Sequence, residues 1–297
     1  MTLLDYVGKT PLVKLSFLPD DYAEVYVKLE LFNPGGSIKT RVAAKMIENA
    51  EKEEKLHYGD TIIEATGGNT GIGLAIVSNI KGYKLLVVVP DNYSMEKINI
   101  LKAYGAEVKL SDSAKGNDSH IKLVEKLIRE NPEYIWVNQF ENKASIEAHY
   151  NGTAVEIYDL IQPDAFVSCV GSAGTFQGIG SFFKDKNSET LLFAVQPKGC
   201  DLKRGKAIAH NVQGVSLGIV PPLLDYEIIT DYIDVDYNEI KQTLIMLARK
   251  EGLFLGLSSG ANILAGIKVA KQLGAGKIVC TVAPDGGNNY LEEILAK

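Results

Sequence analysis

The sequence has few cysteines, and none of its cysteine or histidine spacings is typical of metal binding or of a disulfide framework. Its three cysteines, Cys169, Cys200 and Cys280, are far apart and include no Cys-x-x-Cys pair. The four histidines show no His-Glu-x-x-His or comparable spacing. We therefore expect no metal site and no redox-active cysteine pair.

Long apolar runs and clusters of basic residues are lacking as well. No stretch approaches the roughly 20 apolar residues that span a bilayer, and no basic segment followed by an apolar one opens the sequence. The 31 basic and 37 acidic residues are dispersed and give a net charge of -6, which argues against a nucleic-acid partner. With 46% hydrophobic residues, the 297-residue chain can bury a sizeable core. These features predict a cytoplasmic enzyme or binding protein.

Short apolar runs alternate with segments of helical periodicity along the chain. Runs rich in β-branched residues predict strands at 25–31, 61–65, 85–89, 134–138, 165–170, 191–195 and 278–283. Helical spacing of apolar residues predicts helices at 38–53, 72–80, 121–130, 146–161, 240–250 and 261–272. Such alternation indicates parallel sheets covered by helices, an α/β fold. The length favours two lobes, with ligands bound outside the carboxyl ends of the strands.

A lysine follows a glycine-rich turn at 33–39 (Asn-Pro-Gly-Gly-Ser-Ile-Lys). Ser37 is predicted to cap the helix that follows, so Lys39 falls in the first helical turn. The helix dipole disfavours an ammonium group there, which lowers its pKa towards that of a nucleophilic or basic amine. The alternative is an ordinary solvated lysine.

Three more glycine-rich turns follow predicted strands or apolar runs and open predicted helices. Segments 66–71 (Thr-Gly-Gly-Asn-Thr-Gly) and 171–175 (Gly-Ser-Ala-Gly-Thr) offer amides and hydroxyls to an anion, although tight turns without a ligand are the alternative. Segment 258–261 (Ser-Ser-Gly-Ala) is explained equally well by helix capping. A dinucleotide is disfavoured, because the glycines lack the Gly-x-Gly-x-x-Gly spacing and Gln196 stands where an acid would bind a ribose.

Together these motifs resemble the cysteine synthase (O-acetylserine sulfhydrylase) and cystathionine β-synthase family of fold type II pyridoxal-phosphate enzymes. Segments 8–13, 27–39, 64–71, 138–142 and 148–150 match its signatures in order. The resemblance implies two lobes, each with a twisted, mostly parallel sheet covered by helices, and a cofactor in the cleft between them. Residues 37–141 would form a smaller mobile domain with the substrate-carboxylate loop. Residues 1–36 and 142–297 would form the larger domain that anchors the cofactor phosphate and pyridine ring.

The resemblance also assigns roles to individual residues. Lys39 would hold pyridoxal 5'-phosphate as a Schiff base and act as the catalytic base, while Asn69 would bind the ring hydroxyl and Ser258 the pyridine nitrogen. The phosphate would be bound by Gly171, Ser172, Ala173, Gly174 and Thr175. The substrate carboxylate would be bound by Thr66, Gly67, Asn69, Thr70 and Gln139.

The implied reaction is β-replacement on O-acetyl-L-serine by sulfide, giving L-cysteine and acetate through an α-aminoacrylate. The alternatives are a cystathionine β-synthase or a cysteine-degrading, sulfide-releasing enzyme with serine or cysteine as donor, or a cofactor-less binding protein. The family also suggests a homodimer and, in some members, binding of the C-terminal tail of serine acetyltransferase. Segments 214–221 and 195–197 differ from the cysteine synthase pattern and leave the donor open. Gly67 replaces a usual serine, so the contacts to the substrate carboxylate are open as well.

Overall fold

The computed structural model describes residues 1–116, 118–208, 210–215 and 220–295. Strands within these residues are β1 (Leu12–Lys14), β2 (Glu24–Leu29), β3 (Thr61–Ala65), β4 (Lys84–Pro90), β5 (Glu107–Ser111), β6 (Ile135–Trp136), β7 (Ala165–Cys169), β8 (Leu191–Pro197), β9 (Asp231–Val235) and β10 (Ile278–Ala283). Helices within them are α1 (Lys39–Lys52), α2 (Asn69–Lys81), α3 (Met95–Ala103), α4 (Ser119–Glu130), α5 (Ala144–Ala148), α6 (Ala154–Tyr158), α7 (Gly174–Lys186), α8 (Tyr237–Glu251), α9 (Leu257–Leu273) and α10 (Leu291–Leu295).

The chain divides into two compact units. The first unit contains Met1–Val7 and Asn33–Ser145, and the second contains Gly8–Phe32 and Ile146–Lys297. The mobile and anchoring roles suggested for residues 37–141 and for the remainder stay predictions. No helix in the described part of the chain has the length and apolar character to span a membrane.

The first unit is built on a parallel sheet with the strand order β5-β4-β3-β6. Side chains of β3 alternate between two cores, because successive strand residues point to opposite faces. Ile62 is buried with residues of α1 and α2, whereas Ile63 is buried with residues of α4. Both faces of this sheet are therefore covered by helices, as the continuous apolar strands predicted.

The second unit is built on a sheet with the order β1-β2-β10-β7-β8-β9. Its β1 and β2 are antiparallel, and the other pairs of neighbouring strands are parallel. In β7, Val167 is buried with residues of α8 and α9, whereas Phe166 packs with residues of α7. The predicted α/β class with mostly parallel sheets is thus confirmed.

Several predicted elements have different bounds in the structure. The strand at 134–138 is reduced to Ile135–Trp136, because Asn138 adopts a left-handed conformation with φ 43° and ends the extended run. The helix at 146–161 is divided into α5 and α6 by a π-helical turn at His149–Thr153. The helix at 261–272 begins earlier, at Leu257, so Ser258 lies within its first turn and not in a preceding loop.

Candidate active site

Lys39 is the first residue of α1, and its side chain is half-buried. Ile38, and not Ser37, occupies the N-cap position, which corrects the prediction; the Ser37 hydroxyl instead accepts a hydrogen bond from the Lys39 backbone amide at 3.3 Å. Burial lowers the pKa of the Lys39 amine. Among the described residues its Nζ atom has no hydrogen-bond or ion-pair partner. The structure therefore provides an unpaired amine that deprotonates more readily than a solvated lysine.

A glycine lets the segment around Lys39 lie directly against α2. A Cβ atom on Gly73 would stand 3.0 Å from the Lys39 carbonyl oxygen, which is closer than ordinary packing allows. The first turn of α1 and the second turn of α2 are therefore in backbone contact. This contact places Lys39 and the start of α2 in one part of the first unit.

The glycine loop after β3 reaches the side chain that follows β6. The Thr70 hydroxyl donates a hydrogen bond of 2.6 Å to Gln139 Oε1, and both side chains are buried. Because β3 and β6 are parallel neighbours, their carboxyl ends meet at one edge of the sheet. The structure thus brings together two of the residues predicted to bind the substrate carboxylate. Gly68 is the N-cap residue of α2 and has no side chain to accept hydrogen bonds from the first amides of this helix. Amides at such a helix start can bind an anion.

Two further residues at this loop were given no role by the sequence: Glu64, although it opens the matched segment 64–71, and Tyr93. Glu64 is buried at the end of β3, where its Oε1 atom accepts hydrogen bonds from the Ala65 amide and from Trp136 Nε1. Burial raises the pKa of Glu64 to about 7. The aromatic ring of Tyr93 packs on Gly67. A carboxyl inside an apolar strand was a signal for Glu64, whereas nothing in the sequence pairs Tyr93 with position 67.

The predicted phosphate loop at 171–175 lies between β7 and α7 in the second unit. Ala173 has a left-handed conformation with φ 71°, and α7 starts at Gly174 without a side-chain cap. Its first amide groups are therefore oriented towards the loop, as in helix termini that bind phosphate. The Thr175 hydroxyl is 3.2 Å from His149 Nε2, and His149 Nδ1 is 3.0 Å from the Thr153 hydroxyl.

His149 is fully buried within this chain of hydrogen bonds. Its position fixes the orientation of the Thr175 hydroxyl at the start of α7. The sequence motif included His149, but its supporting role became visible only when the π-helical turn was placed beside α7.

Ser258 and Ser259 are distinguished by the structure. The Ser259 hydroxyl donates to the Asp285 carbonyl oxygen at 3.1 Å and is buried, so it stabilises the local fold. Ser258 is half-buried, and its hydroxyl has no hydrogen-bond partner among the described residues. Ser258 is therefore the hydroxyl available to a ligand at this helix start.

These residues fit pyridoxal phosphate. An unpaired amine suits its aldehyde, the uncapped start of α7 with the Thr175 hydroxyl suits its phosphate, and the Ser258 hydroxyl suits its ring nitrogen. Of the segment 214–221, which departs from the family pattern, residues 216–219 lie outside the described part of the chain. In the described ranges no group of three or more metal-ligating side chains is arranged around a common point.

Comparisons with known proteins identify the family of this chain. The model of a family described as pyridoxal-phosphate dependent enzyme matches residues 3–285. A cysteine synthase of Staphylococcus aureus (strain N315) is 42% identical over 290 residues, which cover 96% of this chain and 93% of that protein. A cystathionine beta-synthase of Apis mellifera is 38% identical, with coverage of 99% of this chain and 61% of that protein.

Solved structures agree as well. The crystal structure of a hydrogen sulfide-producing enzyme from Fusobacterium nucleatum matches this chain with a TM-score of 0.92 and 37% identity, covering 97% of each chain. The resemblance found in the motifs is thereby confirmed. The chain belongs to the family of pyridoxal-phosphate dependent enzymes, and its cofactor is pyridoxal 5'-phosphate.

Proposed function

We propose that this enzyme replaces the acetoxy group of O-acetyl-L-serine by sulfide, giving L-cysteine and acetate. The observation that carries the proposal is the half-buried, unpaired Lys39 amine of lowered pKa, in the same unit as the loop Thr66–Thr70. Such an amine can both attach a carbonyl cofactor and move a proton. The similarity to a cysteine synthase at 42% identity supports this choice of reaction.

Lys39 would hold the cofactor through a covalent bond to its ε-amine, and would be released when the substrate amine takes its place. When bound, the cofactor supplies an electron-withdrawing ring that acidifies the substrate Cα proton. The Thr175 hydroxyl and the first amides of α7 would bind the phosphate. Asn69 would bind the ring hydroxyl. Ser258 offers the ring nitrogen a hydroxyl and not a carboxylate, which favours elimination over transamination.

The substrate carboxylate would lie at the start of α2, bound by Thr66, Gly67, Asn69, Thr70 and Gln139. The hydrogen bond between Thr70 and Gln139 holds two of these groups in place before the substrate arrives. An anion at a helix N-terminus is stabilised by the dipole and the unpaired amides. This binding orients the substrate Cα towards Lys39.

The freed Lys39 amine then takes the Cα proton as a general base. The Cβ–O bond breaks, and acetate leaves with the bonding electron pair. A hydrosulfide sulfur forms the new Cβ–S bond, and the Lys39 ammonium returns its proton to Cα. Hydrosulfide supplies the electron pair of the new Cβ–S bond, which replaces the pair that acetate takes from the Cβ–O bond.

Borohydride reduction followed by peptide mapping tests the attachment site. We expect the reduced cofactor on the peptide that contains Lys39, and no such label in Lys39→Ala. That variant should keep noncovalently bound cofactor while its turnover falls by at least about a thousandfold, since both attachment and proton transfer are lost. A label on another lysine, or normal turnover by Lys39→Ala, would contradict the proposal.

A second candidate function uses serine or cysteine as donor, with homocysteine as acceptor or with release of sulfide. The similarity to a cystathionine beta-synthase and to a hydrogen sulfide-producing enzyme favours keeping it. Steady-state kcat/KM values for O-acetylserine, serine and cysteine, each with sulfide or homocysteine, separate the two. A kcat/KM for cysteine desulfuration above that for cysteine formation would select the second function.

We also propose that the enzyme works as a homodimer in the cytoplasm, as expected from the family resemblance. Binding of the C-terminal tail of a serine acetyltransferase belongs to the same proposal. Sedimentation of the holoenzyme tests the first point, and retention of a synthetic tail peptide tests the second. A monomer at micromolar concentration, or no retention, would reject the respective point.

A further inference from the structure

The loop that is assigned to the substrate carboxylate has glycine at position 67, where the family usually has serine, and the ring of Tyr93 lies against it. A Cβ atom built on Gly67 would lie 2.5 Å from Tyr93 Cε1 and 2.8 Å from Tyr93 Cδ1. Any side chain at position 67 would therefore collide with the phenol ring as it lies. Glycine at position 67 and tyrosine at position 93 form a matched pair in which the ring takes the space of the absent side chain.

The phenol hydroxyl lies beside the N-terminus of α2. A Cβ atom on Gly68, the N-cap residue, would stand 3.6 Å from the Tyr93 hydroxyl oxygen. That hydroxyl has no hydrogen-bond partner among the described residues. Burial raises the pKa of Tyr93, so the phenol is protonated and able to donate at neutral pH. The Lys97 ammonium lies 5.8 Å from the ring centroid and adds positive charge to the same region.

We propose that Tyr93 is a substrate-binding residue whose hydroxyl donates a hydrogen bond to the α-carboxylate of the amino-acid donor. This hydrogen bond replaces the one that the hydroxyl of the usual serine at position 67 would donate. This inference rests on the proposed function, because it assumes that the donor carboxylate binds at the start of α2. The Tyr93 hydroxyl, the space above Gly67 and the N-terminus of α2 lie at one location within the first unit.

Tyr93→Phe separates this role from simple packing, because phenylalanine keeps the ring on Gly67 and removes only the hydroxyl. The holoenzyme is titrated with L-alanine, which has no β-leaving group, and with ethylamine, which lacks the carboxylate altogether. Absorbance of the bound cofactor reports both dissociation constants. We expect Tyr93→Phe to weaken L-alanine binding about tenfold and to leave ethylamine binding within about twofold.

The kinetic expectation is equally specific. For O-acetyl-L-serine, KM should rise about tenfold while kcat changes by less than about twofold, as for the loss of a contact present in both ground and transition states. Tyr104→Phe is the matched control, since Tyr104 also belongs to the first unit but is exposed and lies at the C-terminal end of α3. The dissociation constants of Tyr104→Phe for both ligands should equal those of the wild type.

A rescue experiment tests the pairing of the two positions. Gly67→Ser alone should weaken L-alanine binding, because the new side chain displaces the ring. Gly67→Ser combined with Tyr93→Ala should bind L-alanine at least about fivefold more tightly than Gly67→Ser, since the serine hydroxyl then has room to act. The two variants should contain equal amounts of cofactor.

An unchanged L-alanine dissociation constant in Tyr93→Phe would overturn the inference and leave Tyr93 a packing residue. Equal weakening of L-alanine and ethylamine would overturn it too, because the lost contact would not be to the carboxylate. Failure of the proposed function has a different signature: the wild-type holoenzyme would bind L-alanine yet form no cysteine from O-acetylserine and sulfide.

Discussion

At the scale of single residues, Glu64 is a buried carboxyl group whose hydrogen bonds to the described residues do not satisfy both of its oxygens. It is buried in β3, and its Oε2 atom has no hydrogen-bond partner among the described residues. Its other oxygen accepts from the Ala65 amide at 3.1 Å, and the amides of Asn138 and Gln139 also favour its charged form. Burial outweighs these bonds and raises the pKa to about 7. Glu64 therefore connects the loop after β3 to the segment that carries Gln139.

The raised pKa predicts a pH dependence of stability. Between the ordinary value of 4.5 and about 7 the folded chain keeps a proton that the unfolded chain has released, so this group makes stability fall as pH rises. Glu64→Gln imitates the protonated acid and removes the effect. From about pH 5.5 to about pH 8, its free energy of unfolding should rise by about 2 kcal/mol relative to the wild type.

Urea unfolding of both proteins at a series of pH values measures this difference. Glu54→Gln is a suitable control, because Glu54 belongs to the same unit but is exposed and lies outside β3. A difference between Glu64→Gln and the wild type that stays constant across this range would contradict the prediction.

At the scale of elements, α7 approaches the π-helical turn through a glycine. A Cβ atom on Gly178 would lie 2.5 Å from the Ile146 carbonyl oxygen and 2.8 Å from His149 Cβ. His149 in turn contacts the Thr175 hydroxyl at the start of the same helix. The close approach thus connects helix packing to the residues assigned to the cofactor phosphate.

Gly178→Ala should lower the free energy of unfolding by about 2 kcal/mol, because the methyl group meets backbone atoms that cannot rotate away. Gly180→Ala, two positions along α7, meets the Leu192 Cδ1 methyl at 3.0 Å, which belongs to a flexible side chain. Since alanine also favours the helix by about 1 kcal/mol, this control should be nearly neutral. Denaturant unfolding compares the two variants, and equal losses would show that the backbone contact is not the cause.

At the scale of the whole molecule, each unit has its own sheet and its own buried cores. Because a ligand that binds only the native chain stabilises it, removal of the cofactor should lower the melting temperature. At a free cofactor concentration about a thousandfold above Kd, the loss corresponds to about 4 kcal/mol. Calorimetry of the holoenzyme and the resolved apoenzyme measures it. An equal melting temperature of the two forms would contradict specific binding to the native chain.

The strands that are covered by helices on both faces were predictable from the sequence. The strands β3 and β10 were predicted with their observed bounds, since both are short runs rich in apolar and β-branched residues between clear turns. The edge strand β5 was missed, because its residues are mostly exposed and it lacks the continuous apolar run by which the other strands were found. The break between α5 and α6 was also missed, because the periodicity of apolar residues continues through it.

Local periodicity and motifs of adjacent residues were enough to predict the α/β class and the glycine loops, and the family resemblance of those motifs supplied the cofactor. The start of α9, which puts Ser258 in its first turn, came from the structure. The folded chain was needed to reveal three contacts between distant residues: Tyr93 on Gly67, His149 beside Thr175, and Glu64 near Gln139. Those pairs arise from packing between elements far apart in the chain, and a contact of that kind leaves no periodic or local signal in a single sequence.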